Sequence, residues 1–413
     1  MGLQMSEIRE RIEEALKDIA IKYAPEGSDY KAVVHQWIYA ILNKKDFFGG
    51  SKEICKNLLL KILKERGLYE NDAQLALSFA GPSAIDFREG GSISFIDLFA
   101  GIGGMRLGFQ EAGGICVFSS EFEKNAQETY LRNFNEQPFG DITKISEELI
   151  PDHDVLLAGF PCQPFSHAGL KLGVEDVRGT LFYDIARILK KKKPKVALLE
   201  NVRGLVSHDK GYTLKVILKT LMDIGYKSVI DEDVVNSEDV SVLKEAAKKM
   251  ILKSKDFGVP QNRQRIYLVL WREDIVFDFK YPDPPFLPIS VRDVLEQDVA
   301  EKYVISDKLW AGHQRRKLRN KLNGKGFGYG LFDEESEYTN TISARYYKDG
   351  SEILIDRKEG NPRKLTPREA ARLQGFPESF RIHQSDVQAY RQFGNSVSVP
   401  VVRALAELII NKL

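Results

Sequence analysis

Cysteine is scarce in this sequence of 413 residues, which contains only Cys55, Cys116 and Cys162. Three thiols spaced so widely cannot form the disulfide framework of a small secreted domain, and they lack the close spacing of a cysteine-based zinc site. A chain that does not depend on disulfides is typical of a reducing compartment, so we expect this protein to work in the cytoplasm.

Long apolar runs and an excess of charge of one sign are missing as well. No apolar run reaches the roughly 20 residues of a transmembrane helix, and residues 1–20 are charged throughout, unlike a signal peptide. Lys and Arg number 60, and Asp and Glu number 59. This balance neither predicts nor excludes a nucleic-acid partner, because a basic groove can occur in a neutral chain. The apolar fraction of 43% and the length fit two or three domains with real cores.

Residues 1–90 have a helical pattern. Apolar residues recur every three to four positions in three segments, 6–19, 30–42 and 51–66. Pro-Glu-Gly at 25–27, Gly49-Gly50 and Gly81-Pro82 separate the segments or close the region. Such an extension could contact a partner or DNA, or it could be a helical buttress for the rest of the chain.

From residue 92 to about residue 272, short apolar runs alternate with helical stretches. Helical patterns follow Gly104, Lys124, Thr180 and Tyr212. This alternation predicts an α/β domain with a mostly parallel, doubly wound sheet covered on both faces. The predicted strands are residues 93–99, 115–119, 155–158, 196–199 and 266–270.

A glycine-rich turn follows the first predicted strand. Phe-Ile-Asp-Leu-Phe-Ala-Gly-Ile-Gly-Gly spans residues 95–104 and leads into a predicted helix. A dinucleotide fingerprint would need a third glycine where Arg106 stands, so a pyrophosphate ligand is disfavoured. Glu121 ends the next strand, where a carboxylate commonly holds ribose hydroxyls. A nucleoside without a pyrophosphate fits this pattern, and S-adenosylmethionine (AdoMet) is one; the alternative is a packing turn.

Three further motifs lie beside predicted strands. Gly-Phe-Pro-Cys-Gln-Pro-Phe-Ser at 159–166 follows a strand and holds the Cys162 thiol in a stiff loop, as a nucleophile requires, although a lone cysteine is more often a small buried apolar residue. Glu200 ends another apolar strand, where it could be a general acid or a helix-start residue. Arg263 and Arg265 lie two residues apart on an extended segment and could bind phosphate or a base oxygen, or simply be solvated.

Together these motifs resemble those of the DNA-cytosine C5 methyltransferase family, in the family's order. Further matching blocks are residues 178–182, 363–377 and 392–397, so the resemblance covers about residues 92–413. It implies an AdoMet-dependent methyltransferase fold with a small β-rich recognition domain inserted. The implied boundaries are a helical extension at 1–90, a catalytic domain at 91–275 completed by 385–413, and a target-recognition domain at 276–384.

The resemblance implies a role for each catalytic candidate. The family flips its target cytosine out of the duplex. Cys162 would add to carbon 6 of that base, and Glu200 would donate to ring nitrogen 3. Arg265, with Arg263 beside it, would lie near the cytosine O2.

The same resemblance implies an AdoMet site and no metal. Residues 97–104 would lie along the methionine moiety, Glu121 would bind the ribose, and residues 141–142 would bind adenine. The implied cofactor residues are Asp97, Leu98, Phe99, Ala100, Gly101, Gly103, Gly104, Glu121, Asp141, Ile142, Leu181, Asn395 and Ser396.

Basic residues indicate where DNA would bind. The stretch 308–325 contains seven Lys and Arg and no acid, and it includes Arg315, Arg316 and Arg319. Since it lies in the region that the family uses to read DNA, we expect phosphate contacts there. Ser166 is a further DNA-binding candidate. The lysines at 190–193 and 195 end a predicted helix, where cations offset the helix dipole, so we expect no nucleic-acid patch there.

Residues 326–330 and 341–350 resemble the recognition segment of enzymes that methylate the inner cytosine of CCWGG or CCNGG. Residues 326–356 are predicted to form short strands, with Arg345 as the candidate for a bidentate contact with guanine or, equally, for a framework salt bridge. Residues 238–255 are an insert relative to the usual family spacing, and their apolar stripe predicts a surface helix of no assigned function.

Two alternatives to a DNA methyltransferase are an RNA-cytosine methyltransferase on the same scaffold, which would be expected to lack a long recognition region, and a catalytically silent binding protein. For the enzyme we expect double-stranded DNA as the partner, no membrane, a monomeric state, and a cognate restriction endonuclease as a candidate companion.

Overall fold

A computed structural model of the chain describes residues 2–42, 56–79, 93–161, 181–326 and 328–413. The N-terminal part forms four helices around an apolar core that includes Ile12, Leu16, Trp37 and Leu59. The three predicted helices are confirmed within the described residues, whereas the fourth helix was not predicted because it is only eight residues long. The helices are α1 (Gly2–Tyr23), α2 (Tyr30–Leu42), α3 (Lys56–Glu65) and α4 (Asp72–Phe79).

A seven-stranded sheet forms the centre of residues 93–272, with strand order β2-β1-β3-β4-β7-β5 and β6 paired to β7. Strands β1 to β4 are parallel to one another, and β5, β6 and β7 run antiparallel to their partners. The strands are β1 (Ser94–Leu98), β2 (Ile115–Ser120), β3 (Val155–Gly159), β4 (Val196–Val202), β5 (Tyr226–Ser228), β6 (Ile251–Lys253) and β7 (Gln264–Arg272).

The five predicted strands are confirmed, and β5 and β6 were not predicted. Both missed strands are only three residues long and lie at the outer edge of β7, so they carry no apolar run of their own. Parallel strands covered on both faces are continuously apolar, which is why the inner strands were visible in the sequence. The carboxyl ends of β1, β3 and β4 therefore meet at one edge of the sheet.

Helices cover both faces of this sheet. The first of them begins at Gly104, directly after the glycine turn that follows β1. The lysines at 190–192 occupy the last turn of α7, where Lys191 pairs with Glu148 and Lys192 with Asp152, as expected for a helix end. These helices are α5 (Gly104–Glu111), α6 (Lys124–Phe134), α7 (Leu181–Lys192) and α8 (Tyr212–Asp223).

The segment with unusual spacing is partly helical, as predicted. It follows α9 (Glu232–Asn236) and contains α10 (Val240–Ala246), with Leu243 and Met250 buried against the domain core. Its last residues form β6, which pairs with the start of β7. The segment therefore adds a strand to the sheet as well as a surface helix.

The predicted recognition region, residues 276–384, is less regular than expected. Its strands β8 (Leu331–Phe332), β9 (Leu354–Ile355) and β10 (Arg363–Lys364) have only two residues each. The basic stretch forms a 16-residue helix, α11 (Asp307–Leu322), which the sequence did not predict because few of its residues are apolar. Ser306 caps its N-terminus by accepting a hydrogen bond from Leu309 N at 3.4 Å. The predicted helix near 365–376 is confirmed as α12 (Pro367–Leu373), which begins with a capping box between Thr366 and Glu369.

Two C-terminal helices, α13 (Asp386–Asn395) and α14 (Val399–Ile410), return the chain to the helices that cover the seven-stranded sheet. Helix α14 packs on α5 so closely that a Cβ at Gly108 would lie 2.9 Å from the Arg403 backbone nitrogen. By length and composition, residues Asp386–Ile410 could cross a membrane, but 56% of the apolar window is buried within the protein. We interpret this stretch as core packing.

Candidate active site

A cavity of about 510 Å³ lies at the carboxyl edge of the sheet. The loops after β1, β2, β3 and β4 form its walls, together with the start of β7 and the junction between α13 and α14. Of the predicted catalytic and cofactor residues, those that line it are Asp97, Phe99, Ala100, Gly101, Gly104, Glu121, Glu200, Arg263, Arg265, Asn395 and Ser396.

The glycine turn brings the backbone to the cavity wall. Gly101 and Gly103 adopt left-handed conformations with φ of 55° and 83°. The Gly101 N–H donates a hydrogen bond of 2.7 Å to Glu121 Oε2, which joins the first two loops of the site. A Cβ at Gly104 would lie 2.7 Å from Ser396 Oγ, so glycine is needed where α5 meets the α13–α14 junction.

Asp97 is the most unusual acid of the site. Its side chain is buried, and neither carboxylate oxygen accepts a hydrogen bond from the described part of the chain. Burial raises the pKa of Asp97 to about 7, against the opposing attraction of Arg106. An unpaired buried carboxylate is costly when ionised, so this position favours a ligand that brings a positive charge or hydrogen-bond donors.

Glu121 lies beside the glycine turn and is held by backbone donors. Besides the Gly101 contact, its Oε1 accepts a hydrogen bond of 2.8 Å from Glu123 N. Burial raises the pKa of Glu121. Phe122 follows it, is 71% exposed and lines the same cavity. The prediction missed this aromatic side chain, although an exposed ring directly after Glu121 is a signal for a ligand with a flat base.

A second group of charged residues lies at the ends of β4 and β7. Arg265 Nε is 3.1 Å from Glu200 Oε1, and both side chains are largely buried. Burial raises the pKa of Glu200, although the charges of Arg265 and Arg263 oppose the shift. A carboxyl group with a raised pKa is suited to hold a proton that it can donate.

Arg263 is fully buried and contacts backbone rather than acids. Its guanidinium donates to Ile342 O at 3.2 Å, Gly394 O at 3.2 Å and Ser396 O at 2.5 Å. Burial, with the neighbouring Arg265 charge, lowers the pKa of Arg263 to about 9. The prediction placed Arg263 beside Arg265 at the target base; in the structure it also joins the recognition region to the α13–α14 junction, a role that its spacing did not indicate.

The loop after β3 starts beside Glu200. Asn201 Nδ2 donates to Phe160 O at 2.9 Å, and Phe160 N donates to Glu200 O at 3.3 Å. Pro161 lines the cavity. Cys162 and Ser166, the predicted nucleophile and a predicted DNA contact, lie outside the described residues.

Several other predicted cofactor residues are not among those lining the cavity. Leu98 is buried in β1, and a Cβ at Gly103 would collide with the Phe134 ring. Asp141 accepts hydrogen bonds from Thr143 N and Oγ1, Ile142 is buried, and Leu181 begins α7. Their part in cofactor binding stays a prediction.

Helix α13 supplies cavity residues that the prediction missed. Gln388, Arg391 and Gln392 line the cavity with Asn395. Gln392 is fixed by contacts with α6: its Oε1 accepts from Thr129 Oγ1 at 3.0 Å, and its Nε2 donates to Asn125 O at 3.0 Å. Arg391 is exposed. Of these three missed residues, only Gln392 lies within a block that matches the family, residues 392–397. Gln388 and Arg391 lie outside it, so the sequence gave no indication of their place in the cavity.

The predicted DNA-binding arginines differ in their surroundings. Arg315 and Arg319 are exposed on α11, with no ion pair to any residue that the structure describes. Arg316 instead contacts Asp349 at 3.0 Å and Gly328 O at 3.0 Å, so it holds the recognition region together. Arg345 is also exposed and makes no salt bridge within the described ranges, and its role stays a prediction.

Within the described residues no group of three or more His, Cys, Asp or Glu could hold a metal ion.

Comparison with known proteins gives a consistent result. The family model described as C-5 cytosine-specific DNA methylase matches residues 93–411. The chain is 54% identical to Type II methyltransferase M1.ScrFI of Lactococcus lactis subsp. cremoris over 82% of this chain and 83% of that protein. It is 59% identical to Type II methyltransferase M.NlaX of Neisseria lactamica over 76% of this chain and 94% of that protein. In fold it resembles the crystal structure of S. pombe Dnmt2 methyltransferase, with a TM-score of 0.60 and 20% identity over 77% of this chain and 98% of that one.

Proposed function

The chain belongs to the C-5 cytosine-specific DNA methylase family and is a DNA cytosine methyltransferase, and on that premise we propose that it methylates the inner cytosine of CCWGG or CCNGG in double-stranded DNA through a covalent Cys162 adduct. The observation that carries this proposal is the composition of one cavity. Asp97 and Glu121, suited to the cofactor, share it with Glu200 and Arg265, suited to the base.

The proposed chemistry follows from these side chains. The Cys162 thiolate adds to carbon 6 of the flipped cytosine, and the electron pair of the 5,6 double bond moves to carbon 5. Glu200, whose pKa is raised by burial, donates a proton to nitrogen 3 and offsets the developing negative charge. Arg265, 3.1 Å from Glu200, lies close enough to reach the adjacent O2. AdoMet supplies the methyl group that carbon 5 accepts; loss of the carbon 5 proton and expulsion of Cys162 then restore the aromatic ring.

AdoMet fits the residues that are present. The methionine end of this cofactor carries an ammonium group and a sulfonium, and the unpaired buried oxygens of Asp97 favour such a cationic ligand. Glu121 lies at the end of β2 with acceptor capacity beyond its two backbone donors, as ribose hydroxyls require. Phe122 offers an exposed ring for a flat base.

This fit predicts a pH-dependent affinity for AdoMet. With a pKa of about 7, Asp97 is mainly protonated at pH 6 in the free protein and must ionise when the cationic ligand binds. We therefore expect the AdoMet dissociation constant, measured by titration calorimetry, to fall roughly tenfold for each unit by which the pH rises toward 7. Above pH 7 the constant should level off. Because this pKa is raised, the contribution of Asp97 to stability without ligand has the opposite trend: it is present below about pH 4 and is lost as the pH rises through 7.

Asp97→Asn is expected to bind AdoMet weakly and with a flat pH profile between 6 and 8. Asp152→Asn is the control, because that side chain is 94% exposed and does not line the cavity. A wild-type profile that is flat across this range would contradict the assignment of Asp97.

Specificity is proposed to come from the recognition region. Arg345 is exposed on a turn after Ser343, whose Oγ accepts a hydrogen bond of 3.1 Å from Arg345 N. An arginine in this position can pair bidentately with guanine O6 and N7. Exposed Arg315 and Arg319 on α11 would contact phosphates, which fix register without reading sequence.

Replacing Arg345 by alanine is expected to relax specificity rather than to weaken binding uniformly. A good bidentate contact contributes about 1–3 kcal/mol of discrimination. The measurement is kcat/KM on duplexes with and without the outer guanines. Arg319→Ala is the matched control, expected to weaken binding to all duplexes and to lower the salt dependence of binding. Unchanged discrimination in Arg345→Ala would exclude this residue as a base reader.

The target sequence itself is tested by bisulfite sequencing of plasmid from an expressing host that lacks its own cytosine methylation. Methylation only at sites with A or T in the centre selects CCWGG, and methylation at all four centres selects CCNGG. Methylation of an unrelated site such as GGCC would contradict the target while leaving the chemistry intact.

We also propose that the enzyme acts as a monomer in the cytoplasm, with a cognate restriction endonuclease in the same system. The naming of its relatives as Type II methyltransferases supports the endonuclease as a companion.

A further inference from the structure

We propose that the N-terminal helices belong to the cofactor site, with His35 as a positioning residue that holds the backbone next to Glu121. This inference rests on the proposed role of Glu121 in AdoMet binding. The helices precede the family match, which begins at residue 93. The match to M.NlaX covers 94% of that protein but only 76% of this chain. The N-terminal helices are therefore not a general requirement of the family.

The link starts at the segment 135–140, which extends the sheet beyond β2. Phe139 N donates to Ser119 O at 2.9 Å, and Glu121 N donates to Phe139 O at 2.8 Å. The Phe139 ring stacks on Phe118 with centroids 4.9 Å apart. The position of this segment therefore sets the backbone position of Glu121 at the cavity wall.

The N-terminal helices hold that segment through polar contacts rather than through apolar packing alone. His35 Nδ1 accepts a hydrogen bond of 2.8 Å from Gln137 N, and Ser28 Oγ accepts one of 3.0 Å from Gly140 N. Arg9 donates to the Asn135 side chain. Two backbone amides and one side chain of the segment thus depend on residues outside the family match.

His35 is itself fixed in one orientation. Since Nδ1 accepts from a backbone N–H, the ring proton lies on Nε2, which is 2.8 Å from Glu13 Oε1. Glu13 also pairs with Arg9 at 2.9 Å and Lys31 at 3.1 Å. His35 is only 5% exposed, so an N–H of Gln137 that lost this acceptor would have no water to replace it.

The backbone of the segment 135–140 also packs closely against the N-terminal helices. A Cβ at Gly140 would lie 2.4 Å from the carbonyl oxygen of Gly27, a backbone atom that cannot rotate away. The turn between α1 and α2 is therefore seated directly on the segment, and a displacement there is passed to Phe139 and Glu121.

The test compares two substitutions of His35 in the full chain. His35→Leu keeps an apolar side chain but leaves the Gln137 N–H without an acceptor, whereas His35→Asn retains an acceptor near Nδ1. We expect His35→Leu to raise the AdoMet dissociation constant about tenfold, with kcat at saturating AdoMet and the KM for DNA unchanged, and we expect His35→Asn to restore most of the affinity.

Two further variants separate the possible outcomes. Leu59→Ala removes apolar packing from the same helical unit but leaves the hydrogen bonds of His35, Ser28 and Arg9 to residues 135–140 in place, and it is expected to lower the melting temperature while AdoMet affinity is retained. Equal loss of affinity in Leu59→Ala and His35→Leu would overturn the positioning role, as would normal affinity in His35→Leu. Glu121→Ala tests the premise: if it binds AdoMet normally, the cofactor-site assignment fails, and if it alone binds weakly, only the inference about His35 fails.

Discussion

Replacement of Cys162 by alanine is expected to abolish methyl transfer while leaving AdoMet binding nearly unchanged. The proposed reaction has no route to a nucleophilic carbon 5 without a thiolate addition to carbon 6, so we expect the rate to fall by about 10⁴-fold or more. The AdoMet contacts proposed above use Asp97, Gly101 and Glu121, which belong to other loops. The measurement is single-turnover transfer of tritiated methyl groups to duplex DNA, with AdoMet affinity measured in parallel.

Cys116→Ala is the matched control for this experiment. Cys116 is buried in β2, and burial raises the pKa of its thiol to about 12, so it stays protonated and inert. The control variant is expected to methylate DNA at the wild-type rate. A Cys162→Ala protein with near-normal turnover would remove Cys162 from the mechanism, whatever Cys116→Ala does.

Replacement of Glu200 by glutamine is expected to lower the methylation rate about 10²–10⁴-fold, the usual contribution of general acid–base catalysis. Glutamine keeps the shape of the side chain but cannot deliver a proton to nitrogen 3. The substitution also leaves Arg265 and the buried Arg263 without a neighbouring anion, so some loss of stability is expected. The rate is therefore measured in single turnover at a temperature where the variant is folded, with AdoMet affinity as the second readout.

Glu245→Gln provides the comparison, because Glu245 is an exposed helix residue paired only with Lys248 among the described residues. It is expected to behave like the wild type in rate and affinity. If Glu200→Gln keeps the wild-type rate constant, the residue has no part in proton transfer, and the raised pKa of Glu200 is then only a consequence of burial.

The inner strands of the sheet could be predicted from the sequence because their burial is continuous. Strands β1, β3 and β4 are buried and mostly apolar, and site residues lie near the carboxyl end of each strand. Glu121 and Glu200 were predicted because each follows an apolar run. Arg265 came from the segment that leads into the last strand, and the role of Asp97 came from the family resemblance; the structure brings all four to one cavity.

Features that depend on contacts distant in sequence could not be predicted. Arg263 donates hydrogen bonds to the carbonyl oxygens of Ile342 and Gly394, which lie 79 and 131 residues away in the sequence. His35 accepts a hydrogen bond from Gln137 N, 102 residues away. No local pattern encodes such pairs. The recognition region was difficult to predict for another reason. Its strands have only two residues each, which is too short for an alternating pattern of apolar and polar residues to be seen.

The covalent step is the central claim, and trapping it is the most direct test. A duplex carries 5-fluorocytosine in place of the inner cytosine of CCWGG and is incubated with the protein and AdoMet. After methylation, carbon 5 bears fluorine instead of a removable proton, so Cys162 cannot be expelled and a denaturation-resistant protein–DNA adduct is expected. The adduct should form with the wild type and Cys116→Ala and be missing with Cys162→Ala. A wild-type enzyme that methylates the unmodified duplex yet forms no adduct with the fluorinated one would contradict the covalent mechanism.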